Sequence, residues 1–516
     1  MRAGAIFSNQ KFEGEFAVHA LCITHYGLRI ARRPHKLFDD LSSCFIFSGV
    51  DHYDFDVVII GGGSGGYAAA RTAAGAGLKT AVVEGGKQVG GLCILRGCMP
   101  TKALLYSADV LHLARKADTW GLRAPQAGFD FARVMAGKDA LIKEFADDRV
   151  RQLTGGKFKF IRALARFVDP HTLTLSNGES LTAGNFVIST GSVVAEPPLP
   201  SLKEVGYLTS DEALTLNQPP KSLIVLGGGA VAVEFGQFFA RFDASVTLIQ
   251  RGEHILRDFD GDAAAELEKV FRREGMAVYT GTKLVDAWRD GALKAVTFQH
   301  AGKTVRVAAE EILYALGRAP NTVGLHLDNA RVTTEKLRIV TNAQMQTSAS
   351  HIYAAGDCTG PHEIVHIAVQ QGEIAAHNIA HPGEARGIDY RLLTRVLFTD
   401  PQIGTVGVTE KEAQARNIPY LAARYPFNDH GKSLIMDARD GFVKLLADPK
   451  TGEVLGGCCV GPLGGELIHE IIAVMAKRMT ARELASMPHY HPTLAEIWTY
   501  PAEELAEKIR PRQSEP

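Results

Sequence analysis

Two stretches of the chain share one pattern of apolar and glycine positions. Asp56-Val57-Val58-Ile59-Ile60 is a short apolar run that breaks into Gly61-Gly62-Gly63-Ser64-Gly65-Gly66 and then into alanine-rich sequence. Ser222-Leu223-Ile224-Val225-Leu226 does the same into Gly227-Gly228-Gly229-Ala230-Val231-Ala232. Each predicts a strand, a tight turn and a helix, the context in which a GxGxxG pattern cradles a dinucleotide. In the first copy Gly61 allows the turn, Gly63 admits the pyrophosphate to backbone N–H groups, and Gly66 lets helix pack on strand. Gly227, Gly229 and Ala232 hold the same places in the second.

The next apolar run of each unit separates the two. Thr80-Ala81-Val82-Val83-Glu84 ends on an acid 23 residues after Gly61. A carboxylate there accepts hydrogen bonds from an unphosphorylated ribose. The same count from Gly227 reaches Gln250, followed by Arg251 and, one short loop later, Arg257. Two guanidinium groups in place of an acid suit a 2′-phosphate; the alternative is a pair of solvated surface charges.

Between these units lies Gly90-Gly91-Leu92-Cys93-Ile94-Leu95-Arg96-Gly97-Cys98-Met99-Pro100-Thr101-Lys102. Pro100 suits the first turn of a helix, whose dipole then favours a thiolate at Cys98. The pair reads as a dithiol that opens and closes beside a bound nucleotide. Buried packing or half of a zinc site would be the other use of two cysteines, but no second CxxC or histidine cluster supplies further ligands, and no metal is expected.

A chain of 516 residues with 46% hydrophobic and 22% charged residues implies roughly three or four soluble domains. A net charge of −1 implies neither nucleic acid nor an acidic membrane surface as a partner. The apolar run Leu223–Phe242 is interrupted by Glu234, Gln237 and Arg241, and no transmembrane helix is expected. Seven cysteines (Cys22, Cys44, Cys93, Cys98, Cys358, Cys458, Cys459) do not make a secreted disulfide framework, and a cytoplasmic location fits. Residues 1–50 mix Arg29, Arg32, Arg33 and Lys36 with Glu13, Glu15, Asp39 and Asp40, against a transit peptide. They are expected to be an ill-ordered extension, with a start site assigned too early.

From about Tyr53 to about Leu505 the chain resembles the FAD-dependent pyridine nucleotide–disulfide oxidoreductases of the CxxxxC type, which include dihydrolipoamide dehydrogenase, glutathione reductase and mercuric reductase. Besides the cysteine stretch, the resemblance rests on Ile188-Ser189-Thr190-Gly191-Ser192, Gly317-Arg318-Ala319-Pro320-Asn321, His351-Ile352-Tyr353-Ala354-Ala355-Gly356-Asp357, Phe398–Gly407 and His489-Tyr490-His491-Pro492-Thr493-Leu494-Ala495-Glu496. It implies an α/β fold with two Rossmann-like dinucleotide-binding domains and a C-terminal α+β dimerisation domain. The FAD domain would be residues 51–198 and 318–388, the NAD(P) domain 199–317 and the interface domain 389–510, leaving 511–516 as a tail.

The resemblance also assigns roles. FAD would be held by Gly61, Gly63, Gly66, Glu84, Thr190, Gly191, Gly356 and Asp357. The nicotinamide cofactor, NADP(H) in preference to NAD(H), would be held by Gly227, Gly229, Ala232, Gln250, Arg251, Arg257 and Gly317. Cys98 would lie against the flavin and Cys93 would meet the substrate, while Lys102 near flavin N5 pairs with Glu234. His491, steadied by Glu496, would serve as base for the other subunit of a homodimer. Electrons would pass from nicotinamide through flavin to the disulfide and on to a small-molecule or protein-borne disulfide, or in reverse from a dithiol.

His489 and the HPTLAE run look most like dihydrolipoamide dehydrogenase; the Gln250-Arg251 pair looks instead like NADPH-using members. Mercuric reductase has a tyrosine at the position of His491 and a C-terminal cysteine pair, whereas this chain ends without cysteine. Cys458 and Cys459, on a strand with alternating faces, would point apart rather than bind metal. A glutathione-reductase-like activity, a flavin-bearing binding subunit with little turnover, and a transhydrogenase or quinone reductase are further readings. Leu92, Leu95 and Arg96 depart from the family's usual Thr, Asn and Val, and Arg96 is expected to set a cation beside the thiols. Ala230 replaces the bulky gate that many members place over the nicotinamide site.

Overall fold

The computed structural model describes residues 52–124 and 127–509. The expectations for residues 1–50 and 511–516 therefore lie outside the described residues.

The first apolar run is the centre of a sheet. Phe55–Ile60 pairs in parallel with Thr80–Val83 on one side and with Ser180–Ile188 on the other. Lys159–Ile161 extends the sheet beyond Thr80–Val83, and Ile352–Ala354 lies parallel to the end of Ser180–Ile188. Val57, Val58 and Ile59 have no exposed surface, as a parallel strand covered on both faces demands. Ala165–Asp169 and Thr172–Leu175 add an antiparallel arm to the start of Ser180–Ile188. Helices Ser64–Gly75 and Val365–Ala380 cross closely on one face. A Cβ on Gly372 would come within 2.2 Å of the Gly65 carbonyl oxygen, so only glycine permits that approach.

The second apolar run builds a separate parallel sheet in the order 277–279, 245–249, 222–226, 311–314, flanked by an antiparallel sheet of 283–290, 293–300 and 303–309. The chain enters this unit through Ser192–Val194 and leaves through Arg318–Pro320, and these two strands pair antiparallel.

Five antiparallel strands form the third part, in the order 394–397, 402–407, 454–461, 442–447, 421–426, covered by helix Gly464–Ala476. Cys458 and Cys459 sit on its central strand and face opposite cores: Cys458 packs with Phe442 and Val460, and Cys459 with Ile468 and Ile471. Burial raises the Cys458 thiol to about 12 and lifts Cys459 well above its ordinary range. Two inert thiols pointing apart cannot chelate one ion. Among the described residues no helix is long and apolar enough to cross a membrane.

Candidate active site

A short helix, Gly91–Arg96, carries Cys93, and Cys98 opens the next, Cys98–Arg115. Gly97 alone separates them. A Cβ there would meet the Leu92 carbonyl oxygen at 3.0 Å and Cys93 Cα at 3.1 Å, so glycine lets the two helices turn tightly and brings the thiols together. Both cysteines are free thiols in this state. The S–H of Cys93 donates to Cys98 and, against the opposing effect of burial and with help from Lys102, lowers the Cys98 thiol to about 7. Cys93 moves the other way, far above its usual range, because it is the donor and is buried. The neighbouring thiol is the largest of these causes, and the backbone N–H of Cys98 at the helix start acts in the same direction.

Lys102 stands one turn further along. Its Nζ donates to both oxygens of Glu234, at 2.7 and 3.0 Å, and lies 4.7 Å from the centre of the Phe398 ring. Glu234 is buried, and its Oε1 also accepts the Phe398 backbone N–H at 3.0 Å. A buried carboxylate needs such partners. Arg96 finds its charge partner outside the cysteine segment. Its Nη1 is paired with Asp211 at 2.9 Å, which draws the guanidinium toward the segment leading into the second nucleotide unit.

The first glycine turn has the features of a phosphate cradle. Gly61 has φ +106°, and a Cβ on Gly66 would lie 1.8 Å from the Gly61 carbonyl oxygen, so strand and helix touch there. The helix begins with neither a side-chain cap nor an acidic residue in its first turn, which leaves N–H donors and a positive dipole end for an anion. Gly63 faces Gly91 across a narrow gap, where a Cβ would stand 3.7 Å from Gly91 Cα. Glu84 is oriented by the N–H groups of Gly62 and Gly86, at 2.8 and 2.6 Å. Asp357 accepts the Ser192 hydroxyl at 2.7 Å, and Ser192 in turn accepts from Arg318 at 2.8 Å. Asn321 ties down the carbonyls of Thr190 and Gly191, at 3.2 and 2.9 Å, and the Gly356 N–H is held by Gln371. This uncapped turn, placed within reach of the dithiol segment, fits FAD.

The second turn is built alike. Gly227 has φ +122°, Gly229 has open space where a side chain would be, and Ala232 is buried. The Gln250 side chain packs on Gly228 and accepts the Arg251 N–H at 3.1 Å. Arg251 is exposed, and Arg257 is 77% exposed with only a long 3.5 Å contact to Asp258. Gly317, with φ +119°, opens the strand that leaves the unit.

His491 and Glu496 form a dyad. Nδ1 of His491 donates to Glu496 Oε2 at 3.0 Å, while the imidazole side chain is 78% exposed in the single subunit. His489 is turned away and pairs with Glu470 at 2.6 Å. Three participants were not singled out from sequence: Asp211, Arg241 and His430. Arg241 binds Asp109 at 2.7 Å, Glu274 at 3.0 Å and Asp400 at 2.7 Å, joining the cysteine helix, the second nucleotide unit and the third part of the molecule. Only its interruption of an apolar run could have drawn attention to it.

Residues 55–372 match the family model described as pyridine nucleotide-disulphide oxidoreductase, and residues 393–502 match the dimerisation domain of the same family. The chain belongs to the pyridine nucleotide-disulphide oxidoreductases. It is a flavoprotein disulfide oxidoreductase of the dihydrolipoyl dehydrogenase-like kind, FAD-containing and NAD(P)-dependent. It is 36% identical to the dihydrolipoyl dehydrogenase of Thermus scotoductus over 459 residues, 87% of this chain and 97% of that protein. It is 32% identical to the mercuric reductase of Staphylococcus aureus over 445 residues, 86% of this chain and 81% of that protein. Among solved structures, LpdA from Mycobacterium tuberculosis superposes with a TM-score of 0.78 at 28% identity, covering 87% of this chain and 99% of that one.

Proposed function

We propose that the chain exchanges electrons between NADP(H) and a disulfide or dithiol substrate of the dihydrolipoyl type, working as a homodimer. Cys93 and Cys98 form the redox pair, and His491 with Glu496 is supplied by the second copy. The split between the two thiols beside the Lys102–Glu234 pair carries this reading. FAD, held by the first glycine turn, Glu84 and Asp357, supplies two-electron exchange between nicotinamide and disulfide when bound. The remaining steps belong to the chain's own residues.

In the reduced state Cys98 is the stored thiolate and Cys93 the thiol. Once Cys93 gives its proton to His491, its sulfur attacks a substrate disulfide, forms a mixed disulfide and expels one thiolate, to which His491 returns that proton. Cys98 then attacks the Cys93 sulfur, closing the intramolecular disulfide and expelling the second thiolate. Two electrons leave the thiol–thiolate pair together with the Cys93 proton, and one further proton, taken up from solvent by the second expelled thiolate, completes two substrate thiols. The reverse sequence oxidises a dithiol. Glu496 fixes the His491 tautomer and steadies its cation, as the acid does in a hydrolase triad.

The test is a panel of lipoamide, dihydrolipoamide, glutathione disulfide, mixed disulfides and Hg(II) on purified protein, with NADPH and with NADH, repeated on Cys93→Ser. The variant should keep bound flavin and diaphorase activity but lose disulfide turnover. Full turnover without Cys93 would overturn the dithiol route. The similarity to a mercuric reductase favours Hg(II) reduction as the second reading, and the same panel decides it.

A further inference from the structure

The His491–Glu496 dyad continues one residue deeper. Behind Glu496 lies His430, whose side chain has 0% exposure, at the start of the short helix Gly431–Ile435. Its Nδ1 is 2.8 Å from the Ser433 hydroxyl. Its Nε2 stands 3.4 Å from Glu496 Oε1 and has no hydrogen bond of good geometry to any group among the described residues. Glu496 thus has an imidazole at each oxygen: His491 on Oε2 and His430 on Oε1.

The chemistry of the three groups fixes where the protons go. A carboxylate can only accept, so the ring nitrogen facing Glu496 is the one that carries hydrogen. A neutral imidazole has one N–H, which leaves Nδ1 to accept from the Ser433 hydroxyl. Burial holds His430 below the usual imidazole range, with Glu496 acting to raise it and His491 to lower it. Besides Glu496 and His491, the titratable group facing His430 is Tyr500, with ring centroids 6.4 Å apart. Tyr425 stacks on Tyr500 at 3.9 Å and shares its hydroxyl with Asp429.

We propose that His430 is a positioning residue: from the buried side it steadies the Glu496 carboxylate, so that the other oxygen holds His491 in the tautomer whose Nε2 is free to exchange a substrate proton. The inference rests on the active-site reading above. It adds a requirement that the dyad alone does not make, an N–H-bearing side chain at position 430 in close electrostatic contact with the carboxylate, here at 3.4 Å.

Three variants of the flavin-loaded dimer test it: His430→Leu, His430→Gln and His491→Gln. Each is compared with the parent in kcat and its pH profile with dihydrolipoamide, and in the pH dependence of iodoacetamide alkylation of reduced Cys93. Flavin absorbance and dimer mass are recorded alongside. His430→Leu should lower kcat about tenfold and shift both pH profiles, the scale at which an orienting partner behind a histidine acts. His430→Gln, which restores an N–H toward Glu496, should recover to within about threefold. A Leu variant with unchanged kcat and profiles beside an inactive His491→Gln would overturn the inference alone. So would equal losses in the Leu and Gln variants without a pH shift, which would mark a packing role. Full activity in His491→Gln would remove the active-site reading and this inference together.

Discussion

Glu234 closes on Lys102 across 132 residues of sequence, placing both carboxylate oxygens within 3.0 Å of Nζ. The same carboxylate takes the N–H of Phe398, and the ammonium rests over the Phe398 ring. Three distant parts of the chain are thereby held beside Cys98. Lys102 is one of the groups that lowers the Cys98 thiol to about 7. Lys102→Met removes that cation and leaves Glu234, which acts to raise the thiol. The Cys98 titration should therefore move upward, read as thiolate absorbance near 240 nm against pH. An unmoved titration would show that Lys102 does not set it.

The glycine at position 63 offers a test of the cradle. A branched side chain there would fill the gap toward Gly91 without displacing the strand–helix contact made by Gly66. Gly63→Val should fold and dimerise but retain little flavin, measured as the ratio of absorbance near 450 nm to that at 280 nm. A full complement of flavin would place the cofactor elsewhere.

On the proposed NADP(H) reading, cofactor choice falls to Arg251 and Arg257. A charge-assisted hydrogen bond contributes about 1.5–3 kcal/mol, so replacing both by Ala should reduce the NADPH-to-NADH ratio of kcat/KM by about tenfold or more. An unchanged ratio would make both arginines surface charges.

Arg241 gathers three carboxylates with only 4% of its side chain exposed. Removing a buried partner leaves uncompensated charge, and Arg241→Met should cost about 3–5 kcal/mol in denaturant unfolding. Asp109 shows the strain of that crowd. Burial first, then Asp400 and Glu274, raise its carboxyl to about 6 against the pull of Arg241. Its folded value lies above its unfolded one, so the stability it contributes is complete at acid pH and is lost as pH rises through about 6. Asp109→Asn should flatten the dependence of melting temperature on pH between about 4 and 6. An unaltered slope would assign it to another group.

What could be read from sequence was what a few neighbouring residues encode together. The α/β class followed from two apolar runs ending in glycine turns, because strand, turn and helix are contiguous there. The two thiols were legible because six consecutive positions hold both. The pairing of Lys102 with Glu234 came only through family resemblance, since no local pattern links positions 132 residues apart. Asp211, which takes Arg96, and His430, which backs Glu496, left no trace at all. Each is an ordinary polar residue in its own segment, and its meaning arises from contacts 115 and 66 residues away.

The paired strands Ser192–Val194 and Arg318–Pro320 give the molecule a single doorway. Everything between them leaves and returns through adjacent backbones, so the second nucleotide unit is a cassette threaded into the first. A counterpart with another cofactor preference could be spliced across that doorway while the first glycine turn, Glu84 and the dithiol stay on unbroken chain.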